Sequence, residues 1–205
     1  MARILIVSHY ARSLINFRGE MIKRMTGLGH EVCTIAPEKG FSEKLKTVGA
    51  SYFQYPLQRT GLNPFQDLKS FFALIKVMRT IKPDVVLSYA IKPVIYGSLA
   101  ARLVGVKQVF SMITGLGFVF TNADAKRKIL QNIVSLMYKM AFKANQAVFF
   151  QNPDDERLIK GLGIVRDRTK TVLINGSGVD VEKYYFAPPR KQPVSFLLIA
   201  RLIWD

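Results

Sequence analysis

This 205-residue chain carries 30 basic and 14 acidic residues, a formal net charge of +16, yet 49% of its residues are hydrophobic and only 21% charged. That apolar content excludes a disordered chain, and the longest apolar runs, 71–75 and 196–200, fall far below the ~18 residues that suggest a membrane span. A single cysteine, Cys33, excludes an internal disulfide and suits a reducing cytosol.

The charge is unevenly spread. Residues 1–150 hold 21 basic and 7 acidic residues, whereas the remaining 55 hold 9 and 7. The front of the chain therefore seeks an anion, and charge alone leaves nucleic acid, a lipid surface and a phosphorylated small molecule equally open.

In chain order, residues 3–7 form a short continuous apolar run, as in a strand covered on both faces by helices. With one basic residue and four consecutive apolar ones, this start is too short for a secretory signal. A polar segment, 8–16, separates it from a helix ending at Gly27-Leu28-Gly29. A second strand spans 31–36 and stops at Pro37, a short helix spans 41–48, and a third strand spans 50–55. Asn63 as N-cap and Pro64 at the first helical position open a long helix to about Ile81. Strand 84–88, helix 93–104 and strand 107–113 follow, then a glycine loop to Thr121 and a helix over 124–143. Strand 146–150, a helix opened by Asn152-Pro153 and closed by Gly161, and strand 170–174 complete the alternation.

Such alternation predicts an α/β fold: a Rossmann-like, doubly wound parallel sheet between layers of helices. Ligands of these sheets sit beyond the carboxyl ends of the strands, which nominates the loops 8–18, 89–93, 114–121 and 176–180. None of the Gly-x-Gly pairs has the third glycine of a dinucleotide fingerprint, and there is no Walker-type Gly-Lys-Ser or Gly-Lys-Thr. Two histidines and one cysteine on different elements offer no metal site and no resident cofactor. His9, just past the first strand, is a candidate general base or phosphate partner, and as a lone histidine is equally at home as a structural residue. Arg12 and Arg18 flank Leu14-Ile15-Asn16, where they would either hold a phosphate or face water.

In the helix 124–143, Ile129, Leu130, Ile133, Val134, Leu136, Met137, Met140 and Ala141 fall within one arc of about 160° and are expected to face the core. Phe142 shares the opposite side with Lys128, Lys139 and Lys143. The same pattern recurs in the earlier long helix, where Phe72 projects between Lys76 and Arg79. Basic faces that carry an apolar wedge suit anionic lipid headgroups, and Phe118 and Phe120 in the glycine loop would add apolar area. A solvated basic face is the plainer alternative. Residues 170–174 run into Asn175-Gly176-Ser177-Gly178-Val179-Asp180, whose glycines permit a hinge or ligand loop. Three prolines within 187–193 then mark an extended connector, and 194–200 reads as a fresh strand.

At Gly176-Ser177-Gly178-Val179-Asp180 and Ala200-Arg201-Leu202-Ile203-Trp204-Asp205 the chain resembles family 4 glycosyltransferases of bacterial surface-polysaccharide and lipopolysaccharide or lipid-linked oligosaccharide assembly. The resemblance extends to Ser13-Leu14-Ile15-Asn16-Phe17-Arg18, Gly29-His30-Glu31-Val32, Leu62-Asn63-Pro64-Phe65 and Thr114-Gly115-Leu116-Gly117-Phe118, and so covers the whole chain. It implies the two-lobed GT-B fold, with an acceptor-binding lobe at 1–186, a linker at 187–193 and the first strand of a truncated donor lobe at 194–205.

The resemblance further implies a retaining, metal-independent transfer of sugar from a nucleotide sugar, a UDP-sugar, to a lipid-linked acceptor at the cytoplasmic membrane surface. Arg12, Asn16, Arg18, Lys92, Gly115 and Gly117 would then serve the acceptor, with His9 and Thr114 near the chemistry. Thr114 stands where many relatives have histidine. Gly176, Ser177, Gly178 and Asp180 would line the cleft, and Arg201 would meet the donor diphosphate. Phe72, Lys76, Phe118, Phe120, Lys128, Lys139, Phe142 and Lys143 would meet the membrane. With most donor groups beyond Asp205, the chain is expected to be inactive alone. A basic Rossmann-like nucleic-acid-binding or nucleotide-binding module is the competing reading, the first disfavoured because no helix-turn-helix or aromatic-rich basic groove is present and the second because the dinucleotide fingerprint is missing.

Overall fold

The computed structural model describes residues 1–58, 63–120, 125–165, 169–188, 193 and 196–199, with the side chains of 118 and 125–127 outside that description. Seven strands, β1 (Arg3–Val7), β2 (Glu31–Ala36), β3 (Ala50–Gln54), β4 (Val85–Tyr89), β5 (Gln108–Ile113), β6 (Ala147–Phe150) and β7 (Lys170–Leu173), form one sheet in the order β3-β2-β1-β4-β5-β6-β7. Every pairing is parallel, and Leu5 at the centre of β1 faces Cys33 on one side and Val86 on the other. Strand order reverses between β1 and β4, and that switch point is where an open α/β sheet parts its loops into a crevice.

Alternation of side chains sorts the core into two faces. Ile4 and Ile6 pack beneath α1 (Ala11–Gly27) and α2 (Ser42–Lys46). Leu5, Val7, Val86 and Val109 pack beneath α3 (Pro64–Ile81) and α4 (Ile91–Leu103). A further cluster joins α4 to α5 (Ala125–Phe142) and α6 (Pro153–Gly161). A Cβ added at Gly97 would lie 2.4 Å from the Ser88 hydroxyl oxygen, so α4 lies close against β4 there and a larger residue would force Ser88 to move. The expected capping of α3 is present: the Asn63 side chain accepts from the amides of Phe65 and Gln66, with Pro64 at the first turn.

Several boundaries differ from expectation, each for a visible reason. Residues 11–16 are not loop but the first turns of α1, because Ala11, Leu14, Arg18 and Ile22 form a buried stripe at helical spacing. Helix α4 begins at Ile91, two residues before Pro93, whose missing N–H falls in a first turn that has no use for it. Residues 196–199 form no strand. They are 81–96% exposed, since an isolated strand has no neighbour to receive its hydrogen bonds.

Helix α5 is turned relative to expectation. Val134, Tyr138, Ala141 and Phe142 are buried, with Phe142 1% exposed and its ring stacked on Tyr138 at 5.3 Å. Phe142 is therefore core and not a surface wedge. Phe120, also expected on the surface, is half-buried with its ring 6.5 Å from Tyr138. Aromatic rings bury more area per residue than aliphatic chains and win the inward face. The consequence is that Ile129, Ile133, Leu136 and Met140, expected in the core, are 46–62% exposed.

Beside the switch point, Ala90 has φ 69° and ψ 157°, a region that is almost the preserve of glycine. Two outcomes follow from this packing and are read by urea unfolding. Ala90→Gly relieves more strain than the extra glycine entropy costs and raises stability by about 1 kcal/mol. Phe142→Ala lowers it by about 3–5 kcal/mol, as deletion of a core aromatic should; a change under 0.5 kcal/mol would return Phe142 to the surface.

Candidate functional site

The carboxyl edge of the sheet gathers the segments 8–10, 89–91, 114–117 and 174–180. Across it runs a chain of buried polar groups. The Tyr55 hydroxyl beyond β3 donates to the Ser8 carbonyl at 3.1 Å, and the Ser8 and Ser13 hydroxyls lie 3.2 Å apart. The Ser13 hydroxyl is 2.8 Å from that of Tyr89, the last residue of β4. Arg18 then lies with its guanidinium carbon 5.0 Å from the Tyr89 ring centroid, and its Nη1 donates to Ser177 Oγ at 2.5 Å. One connected network thus spans the ends of β3, β1, β4 and β7.

The network itself is buried around the Arg18 guanidinium. Ser8, Ser13, Tyr89 and Arg18 are all buried. Burial raises the Tyr89 phenol, opposed by the Ser13 and Ser8 hydroxyls and by Arg18, and burial raises the Tyr55 phenol as well. Burial also holds the Arg18 guanidinium below its usual range, opposed by Tyr89. None of the ion pairs among the described residues includes Arg18, and its Nε is buried without a hydrogen-bond partner.

At the amino end of α1 the Ala11 amide donates to Glu38 Oε2 at 2.8 Å, so a carboxylate of the β2–α2 loop sits where a helix terminus attracts anions. Arg12 and Asn16 are exposed on the first turns of the same helix. His9 is half-buried with its ring 6.4 Å from that of Tyr10. Lys92, in the first turn of α4, is held by Asp67 of α3 at 2.6 Å, with both side chains mostly buried, and does not project free into the crevice. Asp67 also bears on Tyr96, whose hydroxyl is raised chiefly by burial and then by that carboxylate.

Thr114, Gly115 and Gly117 are exposed, with φ 141° at Gly115 and 68° at Gly117. Gly176 and Gly178 take φ 87° and 69° around Ser177, which lets the loop turn back toward α1. Asp180 closes a turn by accepting from the amides of Glu182 and Lys183 at 3.0 and 3.2 Å. Arg201 and the side chain of Phe118 lie outside the described residues. Among the described residues no group of three metal-ligating side chains comes together.

Away from the crevice, α5 carries Ile129, Ile133, Leu136 and Met140 exposed on one face. At 100° per residue the exposed Lys128, Lys139 and Lys143 occupy the adjoining arc. Helix α3 presents Phe65, Leu68 and Phe72 exposed beside Lys69 and Lys76. Both helices follow strands, so their amino ends lie at the carboxyl edge of the sheet. The buried network and Glu38 escaped sequence reasoning. A serine directly after β1 and a tyrosine ending β4 were the available signals, but hydroxyls carry no spacing rule of their own.

Residues 8–152 match the family described as Glycosyl transferase 4-like. The chain is 28% identical over 215 residues to the N,N'-diacetylbacillosaminyl-diphospho-undecaprenol alpha-1,3-N-acetylgalactosaminyltransferase of Campylobacter jejuni, a match that covers 98% of this chain and 57% of that protein. It is 33% identical over 137 residues to the UDP-Gal:alpha-D-GlcNAc-diphosphoundecaprenol alpha-1,3-galactosyltransferase of Escherichia coli, covering 66% of this chain and 33% of that one. The chain thus spans little more than half, or less, of the length of these curated relatives. In fold it is similar to the sucrose-phosphate synthase of Thermosynechococcus elongatus, with a TM-score of 0.63 at 11% identity over 85% of this chain and 48% of that one. The family match covers well over half of a chain whose parallel sheet has the architecture of glycosyltransferase lobes, and this protein belongs to the Glycosyl transferase 4-like family.

Proposed function

We propose that the chain is the acceptor-binding, membrane-associating part of a retaining glycosyltransferase that moves a sugar from a nucleotide sugar, a UDP-sugar, to a polyprenol-diphosphate-linked saccharide. The observation that carries this reading is the open apolar face of α5: Ile129, Ile133, Leu136 and Met140 exposed beside Lys128, Lys139 and Lys143. A soluble helix would turn that ridge inward. Here the inward face is filled by Tyr138 and Phe142, and the outward one suits an anionic bilayer surface, with apolar side chains among the headgroups and lysines on the phosphates. No described helix is long and apolar enough to cross a membrane, in keeping with peripheral attachment.

Both named relatives are transferases for undecaprenol-diphosphate-linked sugars, which supports the acceptor class. Phe65 and Ile129 stand at the ends of α3 and α5 that adjoin the carboxyl edge of the sheet. A polyprenol anchored beneath these helices would therefore present its diphosphate and sugar to the crevice. Arg12 and Asn16 would hold the diphosphate, and the backbone of 114–117 with the Thr114 hydroxyl would border the sugar. An acceptor hydroxyl attacks the anomeric carbon of the donor on the same face from which the nucleoside diphosphate leaves, which keeps the anomeric configuration, and His9 is the side chain assigned to take the hydroxyl proton. Donor binding is assigned to the further length that the relatives have.

Two measurements test this reading. The 205-residue chain floats with vesicles containing phosphatidylglycerol, and Lys128→Glu/Lys139→Glu/Lys143→Glu weakens that binding on the order of 100-fold at ~1 kcal/mol per basic residue. Unchanged flotation would remove the membrane role. Vesicles doped with an undecaprenyl-diphosphate-linked monosaccharide bind more tightly than undoped ones, and Arg12→Gln abolishes the increment without altering binding to undoped vesicles. An increment that survives Arg12→Gln would take the acceptor diphosphate away from α1.

A further inference from the structure

We propose that Arg18 is a positioning residue, a latch that holds the segment after β7 against α1 and so sets the course on which the chain leaves the lobe. The proposal rests on the reading that 176–180 lines the crevice, but its physical basis is independent of the reaction. Arg18 lies in the middle of α1, is 5% exposed, and meets no carboxylate among the described ion pairs. A guanidinium buried on such terms is costly, and an apolar residue at this place in the stripe Ala11–Leu14–Arg18–Ile22 would pack without that cost. What the guanidinium does that leucine could not is bridge. Its guanidinium carbon lies over the Tyr89 ring, and Nη1 reaches Ser177 Oγ, 159 residues away in sequence, at 2.5 Å.

The other end of the latch is equally specific. Ser177 stands between two glycines at positive φ, so its loop has no stiffness of its own to hold it against α1. The following residues, 175–188, are exposed throughout, with Val179, Val181, Tyr184, Tyr185 and Phe186 at 67–85%. Little apolar burial therefore anchors the segment. Lys23, about one and a half turns beyond Arg18 on α1, is paired with Glu20 at 2.6 Å, and the Asp180 carboxylate adds only a minor attraction along the same path. Tyr89 in turn is fixed by Ser13, so the position of the latch is referred to the switch point of the sheet. Lysine cannot replace arginine in this role, because an ammonium lacks the flat face that stacks on tyrosine and the fork that reaches past it.

Amide hydrogen exchange on the 205-residue chain tests the latch at residues 174–184, where Ile174, Glu182, Lys183 and Tyr184 have hydrogen-bonded amides. Ser177→Ala, a change at an exposed position, accelerates exchange there on the order of tenfold or more and leaves β1 and β4 unchanged. Ser177→Thr, which keeps the hydroxyl, restores protection. Arg18→Lys reproduces the Ser177→Ala effect, and the two together add nothing further. If Ser177→Ala leaves exchange at 174–184 unaltered, or Ser177→Thr exchanges as fast as Ser177→Ala, the latch is refuted and Arg18 is a packing residue only. Failure here leaves vesicle binding untouched, so the latch and the proposed function fall separately.

Discussion

The contact on which the carboxyl edge of this sheet depends is that between the Tyr89 hydroxyl and Ser13, 2.8 Å apart at its switch point. In an open parallel sheet the crevice exists because β1 and β4 send their chains to opposite faces. Two backbones that diverge there leave polar groups that neither strand nor helix can satisfy, and each would be costly if left unpaired. Tyr89 closes that gap from β4, Ser8 and Ser13 close it from β1 and α1, and Tyr55 reaches in from β3. Arg18 extends the same network to Ser177. Ala90, the next residue after Tyr89, bears the conformational strain of this arrangement, at a position where glycine would be relaxed.

The second constraint is competition for the inward face of α5. Its sequence offers more apolar residues than one face can bury, so some had to remain outside. Burial of Tyr138 and Phe142 excludes Ile133 and Leu136, and the helix keeps an apolar ridge in water beside three lysines. Exposed apolar area of this kind is a cost in a free monomer unless something covers it. In the proposed function a lipid surface covers it, and the same surface brings the acceptor diphosphate to the edge where α1 begins. Glu38 holds the amino end of α1 in the meantime.

Much of the fold is legible in the sequence because its signals are local. Short segments rich in apolar and β-branched residues, bounded by glycine, proline or polar residues, mark the seven strands, and Asn63-Pro64 marks the start of α3 to the residue. The errors arise where tertiary packing overrides period. For α5, counting apolar residues treats an isoleucine and a phenylalanine alike, whereas burial favours the aromatic pair and rotates the helix by almost a third of a turn. For 196–199, apolar character suggests a strand, but strands are made by their neighbours. The candidate site is less legible than the fold. Loop positions follow from topology, whereas the network through Tyr55, Ser8, Ser13, Tyr89 and Arg18 joins residues up to 159 apart that no motif links. Arg12 and Arg18 look alike in sequence, and only the helical phase of α1 sends one to solvent and the other inside.

The central claim is that one lobe meets both the membrane and a polyprenol-linked acceptor, with the carboxyl edge of its sheet turned to the sugar. Hydrogen-exchange footprinting of the 205-residue chain on nanodiscs, with and without an undecaprenyl-diphosphate-linked saccharide, tests it most directly. The account predicts that anionic nanodiscs alone protect the outward faces of α3 and α5. Adding the acceptor should then protect 8–12, 90–92 and 114–117, and leave the opposite edge of the sheet unchanged. Acceptor-dependent protection confined to that opposite edge, or none at all on nanodiscs that bind the chain, would contradict it.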